Sequence, residues 1–413
     1  MTSETRKRGF TTSILHSDRE SGVEHGALHK PLHLSVAYGY RDADELAAVF
    51  QNRKPGYVYG RQGNPTTAAL EAKINAMEEG VATLCFSTGM AAIGAIVLAL
   101  LKEGDHMVSS AFLFGNTNSQ FATLADHGVP VTFVDATDVR NVEAAITPAT
   151  KLVFVETIAN PRTQVADLAR IGELCRKHKL IYVVDNTMTS PWLFKPKDVG
   201  ATLIVNALTK YIGGHGNALG GAITDTGLFD WTAFPNISES YKAQKPEMWG
   251  ILQLKKKGLR DWGATLAAEP AHHIAVGAET LALRMDRQCA NAQALADFLA
   301  SRREVRVVHY PGIPTHPQHV LARDLFRAFG AILSFELADD DGAIAFLNRL
   351  KVVVISSNLG DNRTLAIPVA KTIYWEMGPA RRAEMGIVDS LIRISVGIED
   401  SDDLIEDFAQ AFG

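Results

Sequence analysis

The sequence predicts an α/β protein with a large, mainly parallel sheet covered by helices on both faces, followed by a smaller C-terminal α/β domain. Three observations predict it. From Pro65 onward, short apolar runs alternate with helical patterns, as expected of strands joined by crossover helices. Most of those runs are continuously apolar, which suits strands buried on both faces. The length of 413 residues allows one large core or two modest ones.

Residues 1–62 lack a long periodic pattern and read as an extended arm with one short helix at Ala43–Phe50. Residues 63–255 form the main domain. In it Leu70, Ile74 and Met77 share a helical face, and 89–101 and 168–178 read as helices. Strands are predicted at 83–86, 106–109, 131–134, 152–155, 181–184 and 203–205. Sheets of this kind bind ligands beyond the carboxyl ends of their strands. Those ends carry Asp185, Asn186 and Asn206, polar groups directly after apolar runs, and the placement fits a site better than a core. The second region starts near Trp249. Its first stretch, 252–262, carries Lys255, Lys256, Lys257 and Arg260 and reads as a solvated helix or linker. A long helical stretch at 269–301, strands at 331–336 and 391–396, and helices at 341–350 and 402–412 assign 256–413 to the smaller domain.

Composition excludes several classes. A net charge of −5 gives no general reason to bind nucleic acid or an anionic membrane. The three cysteines, Cys85, Cys175 and Cys289, are too scattered for a disulfide framework or a metal site, and no HExxH or carboxylate cluster suggests a metal. The apolar stretch 91–101 is too short to span a bilayer, which needs about 20 residues. The first ten residues are polar and basic with no apolar run behind them, so a reduced, cytoplasmic compartment is the expectation.

Four stretches carry chemistry. In Asn206-Ala-Leu-Thr-Lys-Tyr-Ile-Gly-Gly-His-Gly-Asn217, Lys210 follows an apolar strand and precedes three glycines. A partly desolvated lysine becomes an amine nucleophile that forms Schiff bases with carbonyl compounds. On position alone it is more often a surface lysine. The glycines could cradle a phosphate, but their spacing is not that of a P-loop. In Tyr182-Val-Val-Asp-Asn-Thr187, Asp185 could pair with a protonated ring nitrogen, or it could cap a helix. In Gly56-Tyr-Val-Tyr-Gly-Arg-Gln-Gly-Asn-Pro-Thr66, Arg61 is the residue type that binds phosphate with two parallel hydrogen bonds; an exposed loop before an N-cap at Asn64 is the plainer alternative. In Phe86-Ser-Thr-Gly-Met90 a strand meets a helix through small residues, leaving N–H groups that suit a phosphate.

Taken together and in this order, YGRQGNPT, FSTGMAA, ETIANP, VVDNT, LTKYIGGHG and LIRISVGIED resemble the Cys/Met-metabolism family of pyridoxal-phosphate (PLP) enzymes, from about Gly9 to the C-terminus. The resemblance implies a type I, aminotransferase-like fold with 63–255 as the PLP-binding domain. It implies that Lys210 forms the Schiff base with PLP and moves protons, and that Asp185 pairs with the pyridine nitrogen. Gly89 and Met90 would give N–H groups to the phosphate, with Thr209 adding a hydroxyl. Thr187 and Phe114 would also line the cofactor, Asn160 would touch its 3′-oxygen, and Arg393 would clamp the substrate carboxylate. Tyr59 and Arg61 would reach the phosphate of a neighbouring subunit, which makes the smallest complete enzyme a homodimer and the expected assembly a tetramer.

Departures from the family pattern bear on the reaction. Phe114 stands where many members have a tyrosine, so it can stack but cannot donate a proton to a leaving group. Ala207 replaces a usual phosphate-binding serine, and Asn358 matches acetylhomoserine sulfhydrylases where lyases tend to have serine. The stretch Pro368-Val-Ala-Lys-Thr-Ile-Tyr-Trp-Glu376 replaces an HPAS-TTH-like segment, and its Tyr374 and Glu376 could hold a cationic distal group. The leading expectation is γ-replacement on an O-acylhomoserine by sulfide or a small thiol, giving homocysteine. The alternatives are a γ-lyase acting on a methionine-type or canavanine-type substrate, and a PLP-binding regulator without catalysis.

Overall fold

The computed structural model describes residues 8–20 and 22–413. Seven strands build the large sheet: β1 (Ala82–Phe86), β2 (His106–Ser110), β3 (Val131–Val134), β4 (Thr150–Glu156), β5 (Ile181–Asp185), β6 (Leu203–Asn206) and β7 (Gly221–Asp225). Their order is β1-β7-β6-β5-β4-β2-β3, with β7 antiparallel to both neighbours and the remaining pairs parallel. Six of the seven lie where the apolar runs predict them. The seventh, Gly-Ala-Ile-Thr-Asp, is short, opens on glycine and follows a glycine-rich stretch, so its sequence carries little strand signal.

Alternate residues of each strand face opposite cores. Cys85, Val108, Val153, Tyr182, Val184 and Ile204 pack on one side against the helices Pro65–Glu78, Leu168–His178 and Ala268–Ala278. Leu84, Phe86, Met107, Phe154, Val183 and Leu203 pack on the other, against the helix Gly89–Leu100 and the helical stretch from Trp249 to Arg260. That last stretch is helical, as one form of the expectation had it, but it is not simply solvated. Leu254, Gly258 and Leu259 are buried in it, and Gly258 lies so close to Ala95 that no side chain would fit; Lys257 alone of the three lysines is fully outward. Truncating a fully buried strand residue such as Ile204 to alanine costs about 2–5 kcal/mol.

The smaller sheet has five strands, β8 (Val305–His309), β9 (Ile332–Leu337), β10 (Val354–Ile355), β11 (Leu365–Pro368) and β12 (Leu391–Ser395), ordered β10-β11-β12-β9-β8. Its core lies on one face, where Leu333, Phe335, Ile392 and Ile394 meet the helices Leu281–Ala300 and Ser401–Phe412. Period-two alternation then sends Arg393, between Ile392 and Ile394, to the other face. The predicted 269–301 helix is two helices, Ala268–Ala278 and Leu281–Ala300, broken at Thr280, whose hydroxyl donates to the Gly277 carbonyl (3.2 Å). The arm has the predicted helix Ala43–Phe50 and a second, Phe10–Ser17, whose Ile14 carbonyl accepts from the buried Lys73 (3.0 Å). All three cysteines are free and buried. Among the described residues no helix is long and apolar enough to cross a membrane.

Candidate active site

The site collects at the carboxyl ends of β4, β5 and β6. Asp185 closes β5, and one of its oxygens accepts the Thr187 N–H (2.9 Å). Thr187 Oγ1 accepts the Ala207 N–H (2.8 Å), which pins the end of β5 to the chain leaving β6. Three residues on, Lys210 Nζ donates to Asn358 Oδ1 (2.7 Å). The Asn358 carbonyl in turn accepts from Arg393 (2.7 Å), as does the Ser357 carbonyl (3.0 Å). Thus Lys210 of the large domain and Arg393 of the smaller one meet through a single residue, Asn358.

Asn186 and Asn206, the other polar residues at these strand ends, do something different from what their position suggests. Both are buried, and both donate through Nδ2 to Glu78 Oε1, at 3.1 and 2.6 Å. They are scaffold, holding β5 and β6 to the helix Pro65–Glu78. The glycine run after Lys210 is likewise scaffold and not a phosphate cradle. Gly214 adopts φ +71, and a side chain there would strike the Arg284 guanidinium, which donates to the Tyr211 and Ile212 carbonyls (2.6 and 3.0 Å).

Burial shifts the charges. Desolvation and the positive Arg393 lower the Lys210 pKa to about 8, so its neutral amine is accessible near physiological pH. Desolvation also lowers Arg393 to about 10; it is 1% exposed, and its Nε is buried without a partner. A carboxyl the sequence reading passed over, Glu156, closes β4 in register with Asp185. Burial and then the charge of Asp185 push Glu156 well above the usual carboxylate range, while its Oε1 accepts the Phe114 N–H (2.8 Å). Asp185 is raised less, because the Thr187 hydrogen bonds oppose its burial. Of the two coupled acids, Asp185 therefore carries the charge and Glu156 the proton. The signal was present in ETIANP: an acid ending a buried strand beside a second acid ending the next.

The helix Gly89–Leu100 starts against the chain that leaves β6. Thr88 caps it, accepting the Ala91 N–H (3.0 Å), and the N–H groups of Gly89 and Met90 open the helix ahead of that bond. A side chain at Gly89 would stand 2.9 Å from the Ala207 Cβ, so glycine is what lets the helix start approach this loop. Thr209 Oγ1 is engaged with Gly220, donating to its carbonyl (3.2 Å) and accepting its N–H (3.0 Å). The Phe114 ring is 37% exposed. Asn160 is buried with its side-chain oxygen unpartnered.

Three expected residues lie apart from this cluster. Tyr59 is 47% exposed with the Arg61 guanidinium 5.7 Å from its ring centre. Arg61 is also exposed and donates to the Arg260 carbonyl (2.6 Å). Glu376 is exposed in the short helical turn Trp375–Met377. Its neighbour Tyr374, by contrast, is buried and donates to the Asn160 carbonyl (3.1 Å).

The residues present fit PLP on their own geometry. There is an amine with a lowered pKa, an acid on the next strand with its charge maintained, and a helix start with open N–H groups. Comparison with known proteins agrees. The profile of a family described as Cys/Met metabolism PLP-dependent enzyme matches residues 11–413. An L-methionine γ-lyase of Pseudomonas putida is 36% identical, covering 98% of this chain and 97% of its own length. A homocysteine synthase of Schizosaccharomyces pombe is also 36% identical, covering 97% of each chain. A Campylobacter jejuni structure assigned as an O-acetylhomoserine (thiol)-lyase, which carries a pyridoxyl-lysine phosphate, superposes with a TM-score of 0.93 at 30% identity over 98% of this chain and 99% of its own.

Proposed function

Because the chain belongs to the Cys/Met-metabolism family of PLP-dependent enzymes, whose members replace or eliminate a γ-substituent, we propose that it replaces the acyl group of an O-acylhomoserine by sulfide or a small thiol. The observation that carries the proposal is the Lys210–Asn358–Arg393 chain of contacts, which joins the amine that would hold the cofactor to the guanidinium that would hold the substrate.

PLP, when bound, supplies an electron sink conjugated with the α-carbon of the amino acid. The remaining work falls to the protein. Asp185 would face the pyridine nitrogen and keep it protonated. Gly89 and Met90 would hold the phosphate, and Asn160 the 3′-oxygen; Thr209 would join them only by turning its hydroxyl away from the Gly220 carbonyl. Arg393, with its unpartnered Nε, would take the substrate carboxylate and fix the orientation of the α-carbon above Lys210. The Lys210 amine, poised near pH 8, would take the proton from the α-carbon and return it further along the substrate.

Phe114 favours an acyl ester over a thioether. A carboxylate leaves without needing a proton, whereas a thiolate leaves far better with one, and a phenylalanine ring offers none. γ-Elimination from a methionine-type substrate is the second reading, favoured by relatives of that name at equal identity. The proposal includes a dimer as the smallest complete enzyme, with Tyr59 and Arg61 serving the partner's phosphate, a tetramer as the working assembly, and the cytoplasm as its compartment.

The test is a substrate panel of O-acetylhomoserine, O-succinylhomoserine, cystathionine, methionine and canavanine, each with and without sulfide. Sulfide-dependent homocysteine from an O-acylhomoserine is expected. A higher kcat/KM for sulfide-independent release of methanethiol from methionine would overturn it in favour of the lyase.

A further inference from the structure

The segment that departs from the family pattern, 368–376, is held firmly. Thr372 Oγ1 donates to the Pro368 carbonyl (2.6 Å) and the Tyr374 N–H to the Val369 carbonyl (3.3 Å), closing a tight turn. Val369, Ala370, Tyr374, Ile387 and Leu391 form a small apolar core of their own. The turn springs from the end of β11, which pairs with β12 so that Ile367 lies opposite Arg393. Its Ile373 carbonyl, and Met377 just beyond it, come within 4.0 Å of where a side chain on Gly115 would stand, so it lies over the start of the helix Gly115–Leu124 that Phe114 opens.

Inside this turn Tyr374 is 1% exposed, and its hydroxyl donates to the Asn160 carbonyl at 3.1 Å. Burial, together with the nearby Glu156, raises the phenol's pKa and keeps it a neutral donor. Asn160 itself has a buried side-chain oxygen with no partner. That oxygen does nothing to hold the side chain, which leaves the anchored main chain to place it.

We propose that Tyr374 is a positioning residue: its hydroxyl anchors the main chain at Asn160, and so aims the Asn160 side chain at the 3′-oxygen of the cofactor. The same contact ties the cofactor side of the site to the segment that runs on into Arg393. The inference rests on the PLP reading given above. It gives the phenol a role that needs no contact with substrate.

Tyr374→Phe removes the hydroxyl and leaves the ring in its small core, so its melting temperature should stay close to that of the unsubstituted protein. PLP is titrated into apo-protein and followed by its visible absorption band, both for affinity and for the pH midpoint of the band. Loss of one hydrogen bond should weaken PLP about three- to tenfold and displace the midpoint. In an Asn160→Ala background the same change should add less than about twofold, because the two residues act in series. An unchanged affinity and midpoint in Tyr374→Phe, or a fully additive loss in the double variant, would overturn the proposal while leaving the PLP reading intact. No visible band in the unsubstituted protein, or one that persists as a covalent adduct in Lys210→Ala, would overturn both.

Discussion

The floor of the candidate site and its arm are built in opposite ways. On the floor, Asp185, Glu156 and Lys210 sit at the ends of neighbouring strands, largely buried, each bonded to a fixed partner and each with a displaced pKa. On the arm, Tyr59 and Arg61 are exposed on a loop, and Arg61 rests on a main-chain carbonyl beside a cavity of about 190 Å³. On the proposed reading, the chain thus completes by itself the half that would handle protons. It turns outward the guanidinium suited to a phosphate, which is the arrangement a shared site needs.

The largest expected effect tests that division. Lys210→Ala should lower turnover by about a thousandfold or more, as loss of a positioned acid–base group does. Arg61→Ala should weaken PLP by about ten- to a hundredfold, the worth of a charge-assisted bond. Co-assembled, the two chains should recover about half the unsubstituted rate per heterodimer, since one of two symmetric sites carries neither lesion. No recovery in verified heterodimers would mean that the arm serves its own chain.

A smaller effect probes the floor alone. Burial raises Glu78 from 4.5 to about 7, although Asn186 and Asn206 donate to it. A carboxyl raised on folding stabilises the protein below its unfolded pKa and loses that contribution as pH rises through the folded value. Glu78 by itself should therefore contribute a fall of about 3 kcal/mol in denaturant-measured stability between pH 4.5 and pH 8, and Glu78→Gln should make the profile shallower by about that much. An unchanged slope in Glu78→Gln would show that the floor does not depend on this acid.

The smallest effect concerns the rim. Glu376 is as exposed as the arm residues, and Glu376→Gln should change the KM for canavanine and for O-acetylhomoserine by no more than about twofold, as surface substitutions do. A rise of about tenfold for canavanine alone, equal to roughly 1.4 kcal/mol, would restore Glu376 as a reader of cationic substrates.

Much of this was legible in the sequence, and the particular residues show why. Apolar runs bounded by polar residues located six strands of the large sheet, because burial on both faces leaves few alternatives to Val, Ile, Leu and Phe. The ordered motifs located Lys210, Asp185 and Arg393, and the alternation Ile392-Arg393-Ile394 already separates the charged side chain from the core. Strand β7 and the helix Phe10–Ser17 were not legible, since neither carries enough apolar periodicity over its few residues.

What only the tertiary structure decided is which polar groups face which neighbours. Asn186 and Asn206 follow apolar runs just as Asp185 does, yet both turn to Glu78, which lies 108 and 128 residues away along the chain. Glu156 became part of the site because β5 pairs beside β4 in register, and Tyr374 because a turn from the smaller sheet reaches Asn160, 214 residues earlier. Local sequence determines whether a residue is buried, through hydrophobic periodicity. The partner of a buried polar group is set by the packing of distant elements, since a hydrogen bond requires a contact of about 3 Å that no spacing along the chain encodes.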